Sequence, residues 1–331
     1  MKRIPSLDGL RAISITLVVV GHWVSVRYAS QVALSYAILG VRIFFIISGY
    51  LITTLLLKEY TKASTISLRE FYVRRAYRIL PAAAAFMLPV FVIYWHELRW
   101  YHAMAAVLYL ANFDPLRPWF LGHLWSLSVE EQFYFLWPSV LKKWYRRRVG
   151  ILLAVVAVAP MYRVLCYALK VPGGGDETFP AVADNLAIGC LLAIFASSIP
   201  RIRPWAGLCM LLPIVLVPLF LAVTRSRTFL LLFLLWPLLH VSIAGVLLHV
   251  VQTPYRWLNF APLVWLGKIS YSLYLWQQLF AYGHHSRPLY FLLFALALAC
   301  LSYYLVERPM LRLREERERG RKLEATLAPA A

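Results

Sequence analysis

The stretch AILGVRIFFIISGYLITTLLL, residues 37–57, runs for 21 residues with one formal charge, Arg42. Crossing a bilayer as an α-helix takes about 20 mostly apolar residues, and a helix pairs every backbone donor and acceptor where water is absent. This segment therefore predicts a membrane span. The same reading predicts nine more, at roughly 10–28, 79–96, 124–141, 149–169, 181–198, 205–223, 229–251, 263–282 and 288–306. Trp100 to Phe113 is apolar but too short to cross, so it is expected as an interfacial or re-entrant piece. The fold class expected is an all-α polytopic membrane protein of about ten spans.

Composition agrees. Of 331 residues, 61% are hydrophobic and 15% charged, with a mean hydropathy of +0.67, against about 45–50% and about 25% in soluble domains. The chain is too apolar for a soluble or disordered class. Its four cysteines, Cys166, Cys190, Cys209 and Cys300, all lie in apolar runs and read as small buried hydrophobes.

The net charge is +19, which as a bulk property points to anionic partners. Its distribution points elsewhere. With the N-terminus placed in the cytoplasm, 25 of the 34 Lys and Arg fall on that side, at 1–11, 58–78, 142–148, 201–203, 256–268 and 308–322. The other nine are Arg27, Arg42, Arg99, Arg117, Arg163, Lys170, Arg225, Arg227 and Arg287. Cytoplasmic loops carry the positive excess, so both termini are expected in the cytoplasm of a cell-membrane protein. No nucleic-acid partner is needed. Residues 1–29 would serve alternatively as a secretory signal with Met1-Lys2-Arg3 at its head, but Arg11, His22 and the lack of a cleavage site argue against it. There is no internal repeat, and the Pro172-Gly173-Gly174-Gly175 turn is expected outside. One membrane domain over 1–309 and a basic, lipid-facing cytoplasmic tail over 310–331 are expected, with no appended soluble domain.

Ionisable groups inside spans each cost about 2.5–3.5 kcal/mol on insertion scales, so they need partners or a wet cavity. Arg11 and His22 are eleven residues apart, close to three turns, and share a face of the first span. His22 then lies about 16 Å deeper than Arg11. In the fourth span, His123, Ser126, Glu130, Tyr134 and Trp137 recur at steps of three or four as one polar and aromatic stripe. Glu131 points about 100° away. His22 and Glu130 come to similar depth from opposite sides, where they could form a catalytic pair or a buried ion pair that locks two helices. Arg75 and Arg78 sit at i and i+3 and suit phosphate, though positive-inside anchoring explains them too. Ser48-Gly49 reads as close helix packing. Asp184 and Arg163 are further intramembrane charges without an evident partner.

These segments together resemble the acyltransferase 3 family of integral membrane acyltransferases. The carriers are Ile4 to Arg11 with His22 (an Arg-x10-His pattern), Phe44 to Leu51, Arg75-x-x-Arg78, Trp125 to Tyr134, Gly267 to Trp276 and Val306-Glu307-Arg308-Pro309, all in family order. The resemblance implies that the 1–309 domain transfers an acyl group, commonly acetyl, from cytoplasmic acyl-CoA to a hydroxyl of a carbohydrate, glycolipid or other envelope acceptor. It implies His22 and Glu130 as the catalytic pair and Arg11, Arg75 and Arg78 as donor contacts. Ser48, Gly49, His123, Ser126, Glu131, Tyr134 and Asp184 are expected in support. Two departures stand out. Gln277 follows Trp276 where members commonly have His, and Asp184 lacks the Arg often found before it. Members often carry an extracytoplasmic esterase-like domain as well, which is not expected here.

The chemistry is feasible for these residues. A thioester donor requires a base for the attacking hydroxyl, and His suits that role, oriented by Glu130 as an acid orients the base of hydrolase triads. No Cys or Ser stands out as a nucleophile. A proton-coupled transporter using His22, Glu130 and Asp184 is the rival reading. A membrane scaffold would leave the midplane charges unexplained. A metal held by His22, His123 and Glu130 is conceivable by ligand type, but nothing in the spacing demands it, and no metal is expected.

Overall fold

The computed structural model describes residues 5–171, 175–224, 235–281 and 290–327. Arg225, Arg227, Arg287 and most of the Pro172–Gly175 turn lie outside the described residues, as do residues 229–234, 282 and 288–289 of the expected spans. The described residues form helices α1 Pro5–Tyr28, α2 Gln31–Ala63, α3 Leu68–Ile93, α4 Trp100–Val107, α5 Leu124–Lys143, α6 Arg148–Ala168 and α7 Phe179–Phe195. They continue with α8 Pro204–Thr224, α9 Trp236–Gln252, α10 Ala261–Lys268, α11 Ser270–Ala281, α12 Tyr290–Ser302 and α13 Arg308–Leu327. No strand occurs among them.

Among the described residues, five helical stretches are long and apolar enough to cross a membrane: Ser6–Tyr28, Gln31–Ala63, Leu68–Ile93, Tyr145–Ala168 and Tyr290–Gly320. Phe179–Phe195, Pro204–Phe220 and Trp236–Gln252 are shorter apolar helices. The outer surface is apolar as well, with Leu88, Val92, Leu153, Met161, Leu208 and Leu212 all exposed. Soluble monomers rarely show contiguous apolar patches larger than a few hundred Å².

Three expected boundaries are corrected. The helix expected over 37–57 runs from Gln31 to Ala63, because Ala29 takes a left-handed φ of 49° in a tight turn and the Ser30 hydroxyl caps the new helix at Ala33 N. At 33 residues it is about 50 Å long, longer than a bilayer core is thick. The helix expected over 79–96 begins at Leu68, capped by Ser67, so Arg74, Arg75 and Arg78 stand on its first turns. It ends at Ile93, and residues 94–97 form a turn. The span expected over 263–282 is broken at Ile269 into α10 and α11; broken helices at membrane depth occur where the backbone is covered by protein or lines a cavity. Trp100–Phe113 is a short helix followed by a single 3-10 turn, too short to cross.

Helix α2 is central, packing on α1, α7, α8, α9 and α5. Glycines set the closest approaches. A Cβ on Gly49 would overlap the Leu186 carbonyl of α7, and one on Gly189 would overlap the Ile46 carbonyl of α2. The two helices therefore meet backbone to backbone, as small residues permit. The α1–α10 contact is equally close, with Gly267 against the backbone of Asp8, and Gly9 of α1 meets the backbone of Leu258 just before α10.

Candidate active site

The polar stripe on α5 faces α2 across a cavity of about 180 Å³. Ser126, Glu130 and Tyr134 line it from α5, and Ser48 from α2. The Ser48 hydroxyl donates to Glu130 Oε1 at 2.6 Å, and the Tyr134 hydroxyl donates to Ser48 Oγ at 3.3 Å. One turn on, Trp137 Nε1 donates to Thr53 Oγ1 at 2.8 Å. Phe44, Phe45 and Leu51 complete an apolar wall.

Arg11, Arg75 and Arg78 line the same cavity. Among the described residues no carboxylate forms an ion pair with any of the three. Their neighbour Arg74 does the opposite, reaching Glu59 at 3.1 Å and Glu70 at 3.5 Å. Successive arginines on α3 are thus divided between surface pairing and the cavity. Arg75 lies over the rings of Phe71 and Tyr134, at 5.6 and 5.1 Å, which orients the guanidinium without neutralising it. Two family-like segments meet close by, where Ser272 donates to the buried carboxylate of Glu307 at 2.9 Å. Glu307 belongs to a π-helical turn, Tyr303–Glu307, a geometry that recurs at functional sites.

His22 does not line this cavity. It lies in a neighbouring layer, with its Nδ1 3.1 Å from Gln277 Oε1 and its ring edge-on to Trp119 at 6.3 Å. His123 belongs to that layer, edge-on to Phe86 and Tyr274. The two layers touch at Tyr274, a cavity residue whose hydroxyl bonds the His123 carbonyl at 3.0 Å and the Ser126 hydroxyl. Among the described residues no hydrogen bond or ion pair joins His22 to Glu130. Helix α1 packs on α2, α10 and α11, so Gln277 of α11 takes the ring that the sequence offers to Glu130, and Ser48 takes the carboxylate. Glu131 does not line the cavity, and its Oε1 is buried without a partner among the described residues. Gly49 faces α7 and is also absent from the lining.

The remaining intramembrane charges form a separate network. Arg163 Nη2 is 2.9 Å from Asp184 Oδ2, His240 Nδ1 is 3.3 Å from the same oxygen, and Arg42 Nη1 is 2.9 Å from His240 Nε2. Arg42 also stacks over Trp236 at 3.6 Å. Asp184 is thus held by Arg163 and His240, and no hydrogen bond or ion pair joins it to His22 or Glu130 among the described residues. Among those residues no group of three or more His, Cys, Asp or Glu could hold a metal ion.

Gln277, Tyr274, Ser270 and Tyr271 are site residues that the charge-based reading passes over. Their signal is a polar stripe, Ser270, Tyr274 and Gln277 or Gln278 at steps of three or four, hidden because a search for ionisable groups ignores amides and hydroxyls.

A sequence profile for an acyltransferase domain, that of the acyltransferase 3 family, matches residues 4–307. The chain is 31% identical over 318 positions to peptidoglycan O-acetyltransferase OatA of Listeria monocytogenes, covering 83% of this chain and 49% of that protein. It is 29% identical over 362 positions to a putative O-acetyltransferase of Staphylococcus aureus, covering 93% and 57%. It is 31% identical over 322 positions to the putative peptidoglycan O-acetyltransferase YrhL of Bacillus subtilis, covering 83% and 48%. The chain spans about half the length of these curated relatives. No solved structure matches it.

Proposed function

The chain belongs to the acyltransferase 3 family, and from that premise we propose that it moves an acetyl group from cytoplasmic acetyl-CoA to a hydroxyl of a cell-envelope carbohydrate. The relatives named as peptidoglycan O-acetyltransferases favour a peptidoglycan-type glycan as acceptor. The observation that carries the donor assignment is the trio Arg11, Arg75 and Arg78, three guanidiniums on one cavity with no carboxylate within ion-pair distance among the described residues. Arginine forks fit phosphate oxygens two at a time, and the phosphates of CoA supply the missing anion.

In this reading ten spans place both termini in the cytoplasm, with 25 of the 34 basic residues on that side. The arginines open to the cytoplasm, and the thioester reaches up the cavity past Ser48, Glu130 and Tyr134 towards Tyr274. His22 is the base. The acceptor O–H gives its proton to His22 as its oxygen bonds to the acyl carbon; the C–S bond then breaks, and the departing thiolate takes the proton back from the imidazolium. Glu130 acts from the cavity wall, where Ser48 fixes its carboxylate beside the path of the donor. Mass spectrometry of envelope glycans from cells with and without the gene tests the assignment. A lost acetyl mass on a glycan supports it, and unchanged glycan acetylation contradicts it.

A further inference from the structure

Among the described residues His22 has one polar side-chain partner, the Oε1 of Gln277 at 3.1 Å from Nδ1. Gln277 is 1% exposed and stands on α11, which packs directly on α1, so the contact is held by two rigid elements. A neutral imidazole carries one N–H and one lone pair, and the partner of one nitrogen decides the state of the other. An amide carbonyl only accepts. With that oxygen turned to the ring, Nδ1 holds the proton and the lone pair is left on Nε2. That nitrogen makes no hydrogen bond to the described residues, on a side chain that is only half-buried.

The charged surroundings leave this task to the amide. Among the described residues, the titratable group facing His22 is His123, at the head of α5. Among the described residues no carboxylate of α2, α5, α7 or α9–α11 is bonded to the ring; Glu130 is bonded to Ser48, and Asp184 to Arg163 and His240. Gln277 is a group that cannot change its protonation state.

We propose that Gln277 is the positioning residue of His22, fixing the imidazole in its Nδ1–H form so that Nε2 is the basic atom. The importance of that atom for acyl transfer rests on the function proposed above; the tautomer itself does not. Gln277 does by a neutral carbonyl what a carboxylate does in hydrolase triads, selecting the tautomer without adding a counter-charge. The amide nitrogen of Gln277 is buried and has no partner among the described residues, which leaves a donor for a substrate oxygen beside the base.

The test is nitrogen NMR on the full chain in nanodiscs, with all eight histidines labelled with ¹⁵N and His22 assigned by difference against His22→Asn. The pH is held well above the ordinary imidazole range. Couplings from the ring protons distinguish Nδ1 from Nε2. The wild type is expected to show His22 protonated on Nδ1. Gln277→Glu, which keeps an accepting oxygen, retains that form, and Gln277→Leu loses it, with the Nε2–H form making up at least half of the population. An Nε2–H ring in the wild type, or an unchanged tautomer in Gln277→Leu, overturns the proposal. This readout uses neither donor nor acceptor, so it stands or falls separately from acetyl transfer. On the kinetic side, Gln277→Leu is expected to lower kcat at least tenfold with the KM for acetyl-CoA unchanged. A KM-only effect would also overturn the positioning role.

Discussion

The Ser48 hydroxyl on α2 donates to the Glu130 carboxylate on α5 at 2.6 Å, tying together the two helices that wall the cavity. A hydrogen bond to a charged group is worth about 1.5–3 kcal/mol, and here it also fixes the direction of the carboxylate. Ser48→Ala is expected to lower the rate of acetyl transfer about 10- to 100-fold, since each 1.36 kcal/mol is a factor of about ten. Ser48→Thr should restore most of it. Steady-state turnover of the purified variants checks both; equal rates for Ser48→Ala and wild type would remove the contact from the mechanism.

Arg75 and Arg78 separate from Arg74 in the same assay. Arg75→Ala and Arg78→Ala are expected to raise the KM for acetyl-CoA about 10- to 100-fold, the loss of one charge-assisted contact. Lysine at either position should recover only part of it, because an ammonium lacks the planar fork. Arg74→Ala, which removes only the surface pairs to Glu59 and Glu70, should leave that KM unchanged. A donor KM that responds to Arg74 and not to Arg75 would contradict the donor site.

Gly49 gives a prediction on stability. Any Cβ there meets the Leu186 carbonyl of α7, so Gly49→Ala should cost about 1–3 kcal/mol, as overpacking does. The readout is a lower Tm in detergent, with the donor KM of the folded fraction unchanged. A normal Tm with a raised KM would instead make Gly49 part of the binding site.

Both the reach and the limits of the sequence show in particular residues. The helical class follows from runs such as 37–57, and the inward set Ser126, Glu130 and Tyr134 follows from a spacing of three to four along one helix. Depth along a helix is legible too, since 1.5 Å per residue is fixed by geometry. Lateral neighbours are not. Helical spacing predicts a similar depth for His22 and Glu130, yet α1 packs on α11, and the partner of His22 is an uncharged Gln that no charge-based search picks out. Arg163 and Asp184 illustrate the same limit, because their pairing depends on α6 lying against α7.

That Arg163–Asp184 pair is buried on both sides, 2% and 1% exposed. Removing one partner of a buried pair costs about 3–5 kcal/mol, while replacing both with apolar groups of similar volume is often neutral. Arg163→Met alone is expected to lower the unfolding temperature sharply, and Arg163→Met with Asp184→Leu to recover much of the loss. His240 and Arg42 adjoin the pair, so recovery should be partial. If Asp184→Leu kept full stability and abolished transfer, the network would belong to the chemistry.

The central claim is that His22 is the base for acyl transfer from a CoA thioester, and its most direct measurement is single-turnover transfer of labelled acetyl from acetyl-CoA to a soluble glycan acceptor. The comparison is between folded wild type and His22→Ala in proteoliposomes. General-base catalysis contributes typically about 10²–10⁴-fold, so the variant is predicted to lose at least a hundredfold in rate while still binding acetyl-CoA with wild-type affinity. Transfer by His22→Ala within a few-fold of wild type would contradict the account.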